Sequence, residues 1–463
     1  MTEFSAGEPS VEFLDGAALP AQAGALHPTS KPGVAKAGSK ERNGGIDALR
    51  AAVTLLVLFH HTALPYGAIG GWYYREIAPS NSPSSLLLIL FCSANQAWFM
   101  GLFFLLAGYY TPPAYRRHGT AGFVRERLLR LGIPLVFYFL VLHPVTVALA
   151  QTANGRPFLR VFEYLWSHGM LEPGPLWFAE ALLIFAAVWL VWRLTSRTSL
   201  TPASVPFPSD TVLLAAALVT GIAAFLLRLV WPVGVNVGFL QLGYFASYIV
   251  LFAAGCAGAE QRWLEQIPES LKSRWVRIAW AAFPIFPLVV LFGSQVPWLH
   301  GRAEGGLNLQ ALVYAFWEPF VAWGFILGLL CFFQRRFAQL SGVWSSGHFP
   351  KFVLHRSTHF HELRKVMDTS KPIDSSAASL FEVPGSNSPH VVQELQIGGT
   401  SLARRAFLIY IIHPPIVVGV ALAWRDIAAP ALIKFLVTGS LACALCYLIA
   451  GLALRIPGVA RIV

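Results

Sequence analysis

Long apolar stretches separated by shorter polar segments recur along most of the chain from about residue 49 onward. A helix that crosses the roughly 30 Å hydrocarbon core of a bilayer needs about 20 mostly apolar residues. Ten stretches meet this requirement, at residues 49–66, 86–110, 131–150, 176–193, 211–230, 239–259, 278–295, 309–333, 403–423 and 430–453. The pattern therefore predicts an all-α polytopic integral membrane protein with about ten transmembrane helices.

Two longer polar stretches interrupt this pattern. Residues 1–44 are rich in Ala, Gly, Pro and Ser and lack hydrophobic periodicity, which predicts a disordered cytoplasmic tail without a signal peptide. The polar sequence of residues 343–400 predicts a cytoplasmic loop between the eighth and ninth spans. This loop contains His355, His359 and His361, but no Cys or carboxylate accompanies them at metal-site spacing. We therefore expect solvated histidines and no metal site.

Composition and charge fit a protein in lipid. Hydrophobic residues make up 56% of the chain and charged residues only 12%, against about 25% charged in soluble proteins. The net charge of +11 would fit nucleic-acid binding, but 27 of the 34 Lys and Arg residues fall on one side when the spans alternate. By the positive-inside rule, this split predicts an even number of spans, cytoplasmic N- and C-termini, and a C-terminal tail at 456–463. No nucleic-acid partner is expected, because the basic residues do not form one stripe.

Ionisable side chains on one face of the first span predict a polar cavity. At about 100° per residue, the eleven steps from Arg50 to His61 return to within about 20° of the starting direction, and Asp47 lies near the same stripe. Burying such groups in a membrane costs about 2.5–3.5 kcal/mol each. His61 lies about 16 Å deeper than Arg50 and is suited to accept a hydroxyl proton. A hydrogen bond to another helix is the structural alternative for His61, and a positive-inside anchor is the alternative for Arg50.

Other polar side chains are candidates for the same cavity. His60 points about 100° away from His61 along the helix and is a candidate hydrogen-bond or packing neighbour. Glu180, Glu318 and His413 lie in the fourth, eighth and ninth predicted spans. An ionisable group inside a span is a candidate functional residue because of its insertion cost.

A basic loop follows the second predicted span. Arg125, Arg127 and Arg130 offer guanidinium groups that suit bidentate contacts with phosphates. The alternative is ordinary positive charge near anionic lipid headgroups.

Five segments of the chain, taken in order, resemble the bacterial membrane acyltransferase 3 family, and most closely its branch related to glucan biosynthesis protein C. The resemblance covers nearly all of residues 45–455, and no single motif carries it. The segments are Asp47-Ala48-Leu49-Arg50 with ten residues before His61, Leu102–Tyr109, Arg125-Glu126-Arg127, Leu176-Trp177-Phe178 and Tyr410-Ile411-Ile412-His413-Pro414.

The resemblance implies a membrane acyltransferase domain over residues 45–455 in the bacterial inner membrane. Such an enzyme transfers an acetyl, succinyl or similar acyl group from acyl-coenzyme A to a hydroxyl of a carbohydrate or glycan. It implies His61 as the catalytic base, with Arg50 and Asp47 on the same helix face. Acyl-coenzyme A would be a donor substrate, with no permanently bound cofactor.

The resemblance also implies that Arg125 and Arg127, with Arg130 nearby, bind the phosphates of coenzyme A. The sequence departs from the family at 343–400, because family members join the flanking spans by a short link. This insertion leaves the docking of the ninth span open.

A proton-coupled secondary transporter is the main alternative function, because buried His, Arg and Glu side chains also form proton relays and substrate sites. A non-catalytic carrier or scaffold is a further alternative function. The sequence does not identify the acceptor, the acyl group or the oligomeric state. It also leaves open whether transfer is direct or passes through a covalent intermediate, and from which side the acceptor enters.

Overall fold

The structure is a computed structural model that describes residues 43–196, 206–293, 295–296, 299–345 and 389–462, with side chains for all of these except 338–345 and 389–401. The predicted tail at 1–44, apart from its last two residues, lies outside the described residues. So do the loop histidines His355, His359 and His361.

The described residues are predominantly helical and form no β-strand. Short π-helical turns at 128–132 and 138–142 flank α4. The helices are α1 Gly44–Ala63, α2 Pro83–Gln96, α3 Phe99–Arg127, α4 Ile133–Phe137, α5 His143–Gln151, α6 Phe158–Ser167, α7 Trp177–Thr195, α8 Asp210–Val230, α9 Phe245–Gly258, α10 Glu269–Ala282, α11 Ile285–Gly293, α12 Leu309–Ser345, α13 Pro389–Ala423, α14 Ala431–Ala453 and α15 Val459–Ile462.

Eight helical stretches among the described residues are long and apolar enough to cross a membrane. The second, Pro83–Asn154, has 72 residues. At 1.5 Å per residue it would extend about 108 Å if straight, so it must cross more than once. Together with a shorter apolar helix at Leu242–Gly258, these stretches overlap all ten predicted spans. The predicted fold class, an all-α polytopic membrane protein, is confirmed.

The 72-residue stretch folds back on itself at Gly119. This glycine has φ 63° and ψ −176°, a conformation that is essentially restricted to glycine. Arg127 Nη2 donates to Thr111 Oγ1 at 3.2 Å, although a continuous helix would separate these residues by about 24 Å. Residues 111–127 therefore form a helical hairpin, which we call the arginine hairpin.

Two glycines allow the helix before this hairpin to pack closely on α9. A Cβ placed on Gly108 would lie 2.1 Å from the carbonyl oxygen of Phe252, and one on Gly255 would lie 2.1 Å from that of Leu105. Small residues at helix contacts permit such close approach in membrane proteins. The contact fixes the arginine hairpin relative to α9.

Polar contacts join the loops at the end of the bundle that carries the arginine hairpin. Tyr109 donates a hydrogen bond to Glu265, and Gln334 Nε2 donates to the carbonyl of Leu264 at 2.8 Å. Gly45, in the first turn of α1, lies so close to Gln334 that a Cβ would be 2.6 Å from its Cα. The start of α1 therefore lies at the hairpin end.

The loops at the opposite end are joined in the same way. Lys434 forms an ion pair with Glu76, and its Nζ donates to the carbonyl of Arg425 at 2.9 Å. Arg425 Nη1 donates in turn to the carbonyl of Ala153 at 3.4 Å. The loops alternate between two ends, as the charge pattern requires. Which end faces the cytoplasm stays a prediction.

The helices extend into both ends of the predicted 343–400 loop. α12 continues to Ser345 and α13 begins at Pro389, because backbone hydrogen bonding does not stop where the apolar sequence ends. α13 packs against α1, α5 and α14, so the ninth span docks in the bundle despite the insertion.

Candidate functional site

α1 places His61 inside the bundle near the end opposite the arginine hairpin. The side chain of Asn43 caps the helix by accepting from the backbone nitrogen of Ile46 at 3.2 Å, which satisfies one of the free donors of the first turn. The helix packs against α12, α13 and α14. His61 lies two residues before the end of α1 at Ala63.

His61 forms a hydrogen-bonded pair with His413 of α13. His61 Nδ1 lies 2.8 Å from His413 Nε2, and His413 Nδ1 lies 2.7 Å from the carbonyl oxygen of Tyr410. A carbonyl oxygen only accepts, so His413 Nδ1 carries the proton, and in the neutral ring its Nε2 accepts from His61 Nδ1. This arrangement leaves His61 Nε2 with a free lone pair.

The two histidines of this pair differ in exposure. His413 is 1% exposed, whereas His61 is only partly buried. His61 is therefore the member that a small molecule can reach, and His413 fixes its orientation from behind. A base held in one tautomer by a second group is the usual arrangement in sites for general base catalysis.

A compact loop after α1 covers this histidine pair. The carbonyl of Pro65 accepts from the backbone nitrogens of Glu76 and Ile77 at 3.0 and 2.9 Å, so the two ends of the loop meet as in an Ω-loop. We call residues 65–77 the covering loop. Its Trp72 stacks on His61 with ring centroids 4.5 Å apart and 15° between the planes.

Tyrosines extend the wall of the site beside the covering loop. The hydroxyls of Tyr73 and Tyr138 lie 2.9 Å apart, and the Tyr410 hydroxyl donates to the carbonyl of Pro175. Burial raises the pKa of the Tyr73 hydroxyl well above its ordinary value, so it stays protonated. Gly174 has φ 50° and lies where a Cβ would be 2.2 Å from the Tyr73 hydroxyl. A side chain at position 174 would displace Tyr73.

A family model described as an acyltransferase domain matches residues 43–354, more than half of the chain. The chain belongs to the acyltransferase 3 family. It is a multi-pass membrane protein with an acyltransferase domain. No curated protein and no solved structure matches the chain. His413 lies beyond the matched residues, and the structure brings it to His61.

In this member of the acyltransferase 3 family, His60 is the packing neighbour of His61. Their ring centroids lie 5.6 Å apart at 87°, and the His60 ring lies 5.0 Å from that of Phe99. His60 Nδ1 is buried without a hydrogen-bond partner among the described residues.

Arg50 and Asp47 pair with each other and do not reach His61. Arg50 Nη1 lies 3.2 Å from Asp47 Oδ1, with the arginine side chain 37% exposed. Thr54 Oγ1 donates to the carbonyl of Arg50 at 2.9 Å. Arg50 and His61 share a face of a continuous helix, but about 16 Å of axial rise separates them. One substrate atom therefore cannot contact both residues.

Glu318 forms a buried ion pair with Arg228. Both side chains are 1% exposed. Arg228 Nε also donates to the carbonyl of Gly243 at 2.9 Å, and its guanidinium carbon lies 4.4 Å from the ring centroid of Tyr314. The sequence did not single out Arg228, because an arginine near the end of an apolar span looks like an interfacial anchor.

Glu180 lies in the first turn of α7. Its Oε2 is buried without a hydrogen-bond partner among the described residues, and burial is costly for such an oxygen.

The three predicted phosphate-binding arginines differ in environment. Arg127 is partly buried, where it donates to Thr111 and lies over the Phe123 ring at 5.0 Å. Arg125 is exposed, beside an apolar groove lined by Val124 and Leu128. Arg130 is also exposed, with its Nε 3.5 Å from Glu126.

The arginine hairpin and the histidine pair are thus separate parts of the site, one at each half of the bundle. Within the described stretches, no cluster of three His, Cys, Asp or Glu side chains is arranged to hold a metal ion.

Proposed function

We propose that this protein transfers an acetyl, succinyl or similar acyl group from acyl-coenzyme A to a hydroxyl of a carbohydrate or glycan. The hydrogen-bonded pair of His61 and His413 carries this proposal, because it presents His61 Nε2 as a free base at a partly exposed position. The acyltransferase domain match supports the reaction class.

His61 acts as the general base in this reaction. Its Nε2 takes the proton of the acceptor hydroxyl while the hydroxyl oxygen forms a bond to the thioester carbonyl carbon. The tetrahedral intermediate then collapses, the carbon–sulfur bond breaks, and the departing thiolate takes the proton back from His61 Nε2. His413 stabilises the transient His61 imidazolium, because its Nε2 keeps accepting from His61 Nδ1.

The arginine hairpin binds the donor. Coenzyme A carries several phosphates, and Arg125 and Arg127 supply guanidinium groups at the end of the bundle where the start of α1 also lies. Arg130 adds positive charge nearby. The acyl end of the donor then extends along the bundle toward His61.

The charge pattern supports a cytoplasmic arginine hairpin in the bacterial inner membrane, where acyl-coenzyme A is available. The acceptor then enters from the opposite end, which is the end nearer to His61. Acyl-coenzyme A is a substrate in this proposal and not a resident cofactor.

The deciding experiment uses purified wild-type protein in lipid vesicles with acetyl- or succinyl-coenzyme A and crude envelope glycans. We expect release of free coenzyme A that depends on acceptor, together with labelled acyl ester in the glycan fraction. A proton-coupled transporter, to which buried groups such as Arg228 and Glu318 are also suited, instead accumulates unchanged solute in sealed vesicles. Uptake without thioester consumption would overturn the proposal.

Substitution of the hairpin arginines should weaken donor binding without changing the chemical step. We expect Arg127→Ala and Arg125→Ala each to raise KM for acyl-coenzyme A by about 10-fold or more, because a hydrogen bond to a charged group contributes about 1.5–3 kcal/mol. kcat should change little, because these side chains contact the phosphates and not the reacting atoms. Initial rates over a range of donor concentrations measure both constants.

Arg277→Ala is the matched control for these variants. Arg277 is an exposed arginine on α10 whose Nε donates only to the carbonyl of Ser273 in its own helix, at 3.2 Å. An equal rise in KM in this control would show that overall positive charge, and not the arginine hairpin, attracts the donor.

A further inference from the structure

Trp72 brings an unused hydrogen-bond donor to the histidine pair. Its ring stacks on His61 at 4.5 Å and lies 6.0 Å from the ring of His413. Its indole Nε1 is buried and has no hydrogen-bond partner among the described residues. An indole nitrogen only donates, and a buried donor without a partner costs about 1–3 kcal/mol. The position therefore suits an acceptor atom from outside the described residues, such as one on a bound substrate.

The proposed reaction creates such an acceptor. When the hydroxyl oxygen attacks, the electron pair of the carbonyl double bond moves onto the thioester oxygen, which becomes negatively charged until the carbon–sulfur bond breaks. The attacking oxygen lies about 3 Å from His61 Nε2 during proton transfer. The thioester oxygen is bonded to the carbon under attack, so it develops its charge beside the ring that stacks on His61.

We propose that Trp72 Nε1 donates a hydrogen bond to the thioester oxygen in the transition state. The inference rests on the proposed acyl transfer and assigns the oxyanion to a residue of the covering loop. Arg50, which shares a helix face with His61, lies about 16 Å away along α1 and cannot reach this oxygen. Donors that are aimed in advance at a developing charge supply a large part of many catalytic rate enhancements.

The covering loop holds Trp72 in place before substrate binds. Ser85 Oγ donates to the carbonyl of Gly67 at 2.6 Å, and Glu76 is tied to Lys434 of α14. The neighbouring Tyr73 is anchored through its hydroxyl to Tyr138 at 2.9 Å. The indole therefore needs little rearrangement when the charge develops.

Trp72→Phe tests the proposal, because phenylalanine keeps a flat ring against His61 and removes the N–H. We expect kcat to fall by about 10²- to 10³-fold, as for the loss of one oxyanion donor elsewhere, with KM for acyl-coenzyme A nearly unchanged. Incorporation of 3-benzothienylalanine at position 72, which replaces the N–H by sulfur in a ring of the same shape, should cause the same loss. This second variant tests the role of the indole N–H if Trp72→Phe does not fold.

Trp424→Phe is the matched control, because the Trp424 indole already donates to Thr438 Oγ1 at 3.0 Å. It should keep wild-type kcat. If the wild-type enzyme is active and benzothienylalanine at position 72 lowers kcat by less than about threefold, the loss is far smaller than that of an oxyanion donor. That result would overturn the role of Trp72 and leave the proposed function intact. A wild-type protein that releases no coenzyme A overturns both.

Discussion

His61→Ala should reduce acceptor-dependent release of coenzyme A by about 10²- to 10⁴-fold, the usual contribution of a positioned general base. Alanine removes the only atom that takes the hydroxyl proton in the proposed reaction, while the arginine hairpin still binds the donor. KM for acyl-coenzyme A should therefore stay close to the wild-type value. Thiol release at saturating donor, measured on protein whose thermal unfolding matches wild type, tests this expectation.

Two further histidine variants sharpen this test. His168→Ala is the control, because His168 is exposed and its ring stacks on Tyr164 at 4.1 Å, away from the histidine pair. His413→Gln should retain more activity than His413→Ala, because the glutamine amide oxygen still accepts from His61 Nδ1. If His61→Ala retained wild-type kcat, His61 would be a structural residue and the base would have to be sought elsewhere.

Glu318→Ala should lower the free energy of unfolding by about 3–5 kcal/mol, the cost of leaving one member of a buried ion pair without its partner. The unpaired group would be Arg228, which is 1% exposed inside the bundle. Thermal or denaturant unfolding of the purified protein in detergent measures the loss.

A double variant separates a structural role of this ion pair from a functional one. Arg228→Met with Glu318→Leu removes both charges and should recover most of the stability, because apolar residues of similar volume replace buried pairs well. Arg274→Ala, which breaks the exposed pair Arg274–Asp210 at 47% and 44% exposure, should cost less than about 1 kcal/mol. A stable double variant without acyl transfer would show that the pair serves catalysis.

The spans were predictable from sequence because their signal is local. Each needs only enough consecutive apolar residues, and the bilayer supplies the rest of the constraint. The turn at Gly119 was less visible, because the helical residues on both sides form one stretch and only the backbone conformation of one glycine marks the reversal. α12 and α13 extend beyond their apolar sequence, to Ser345 and back to Pro389, which hydropathy alone does not indicate.

The candidate site was predictable only in part, because its contacts are far apart in sequence. His61 and His413 were both candidates from their position inside spans, but their hydrogen bond joins residues 352 positions apart. Trp72 was missed because an aromatic residue in a loop between spans carries no local signal. Glu318 was also a candidate for this cavity, and nothing in its own span reveals its partner, Arg228.

The arginine hairpin and His61 lie in opposite halves of the bundle, so a donor bound at the hairpin must be long enough to bring its carbonyl carbon to His61. The start of α1 lies at the hairpin end, and Arg50 alone is already about 16 Å from His61. A donor with its carbonyl directly on a phosphate would leave that carbonyl far from the base. A donor with a long chain between its phosphate and its thioester can place the carbonyl carbon next to His61. Under the proposed function, this protein therefore selects donors by the distance between phosphate and thioester more than by the identity of the acyl group.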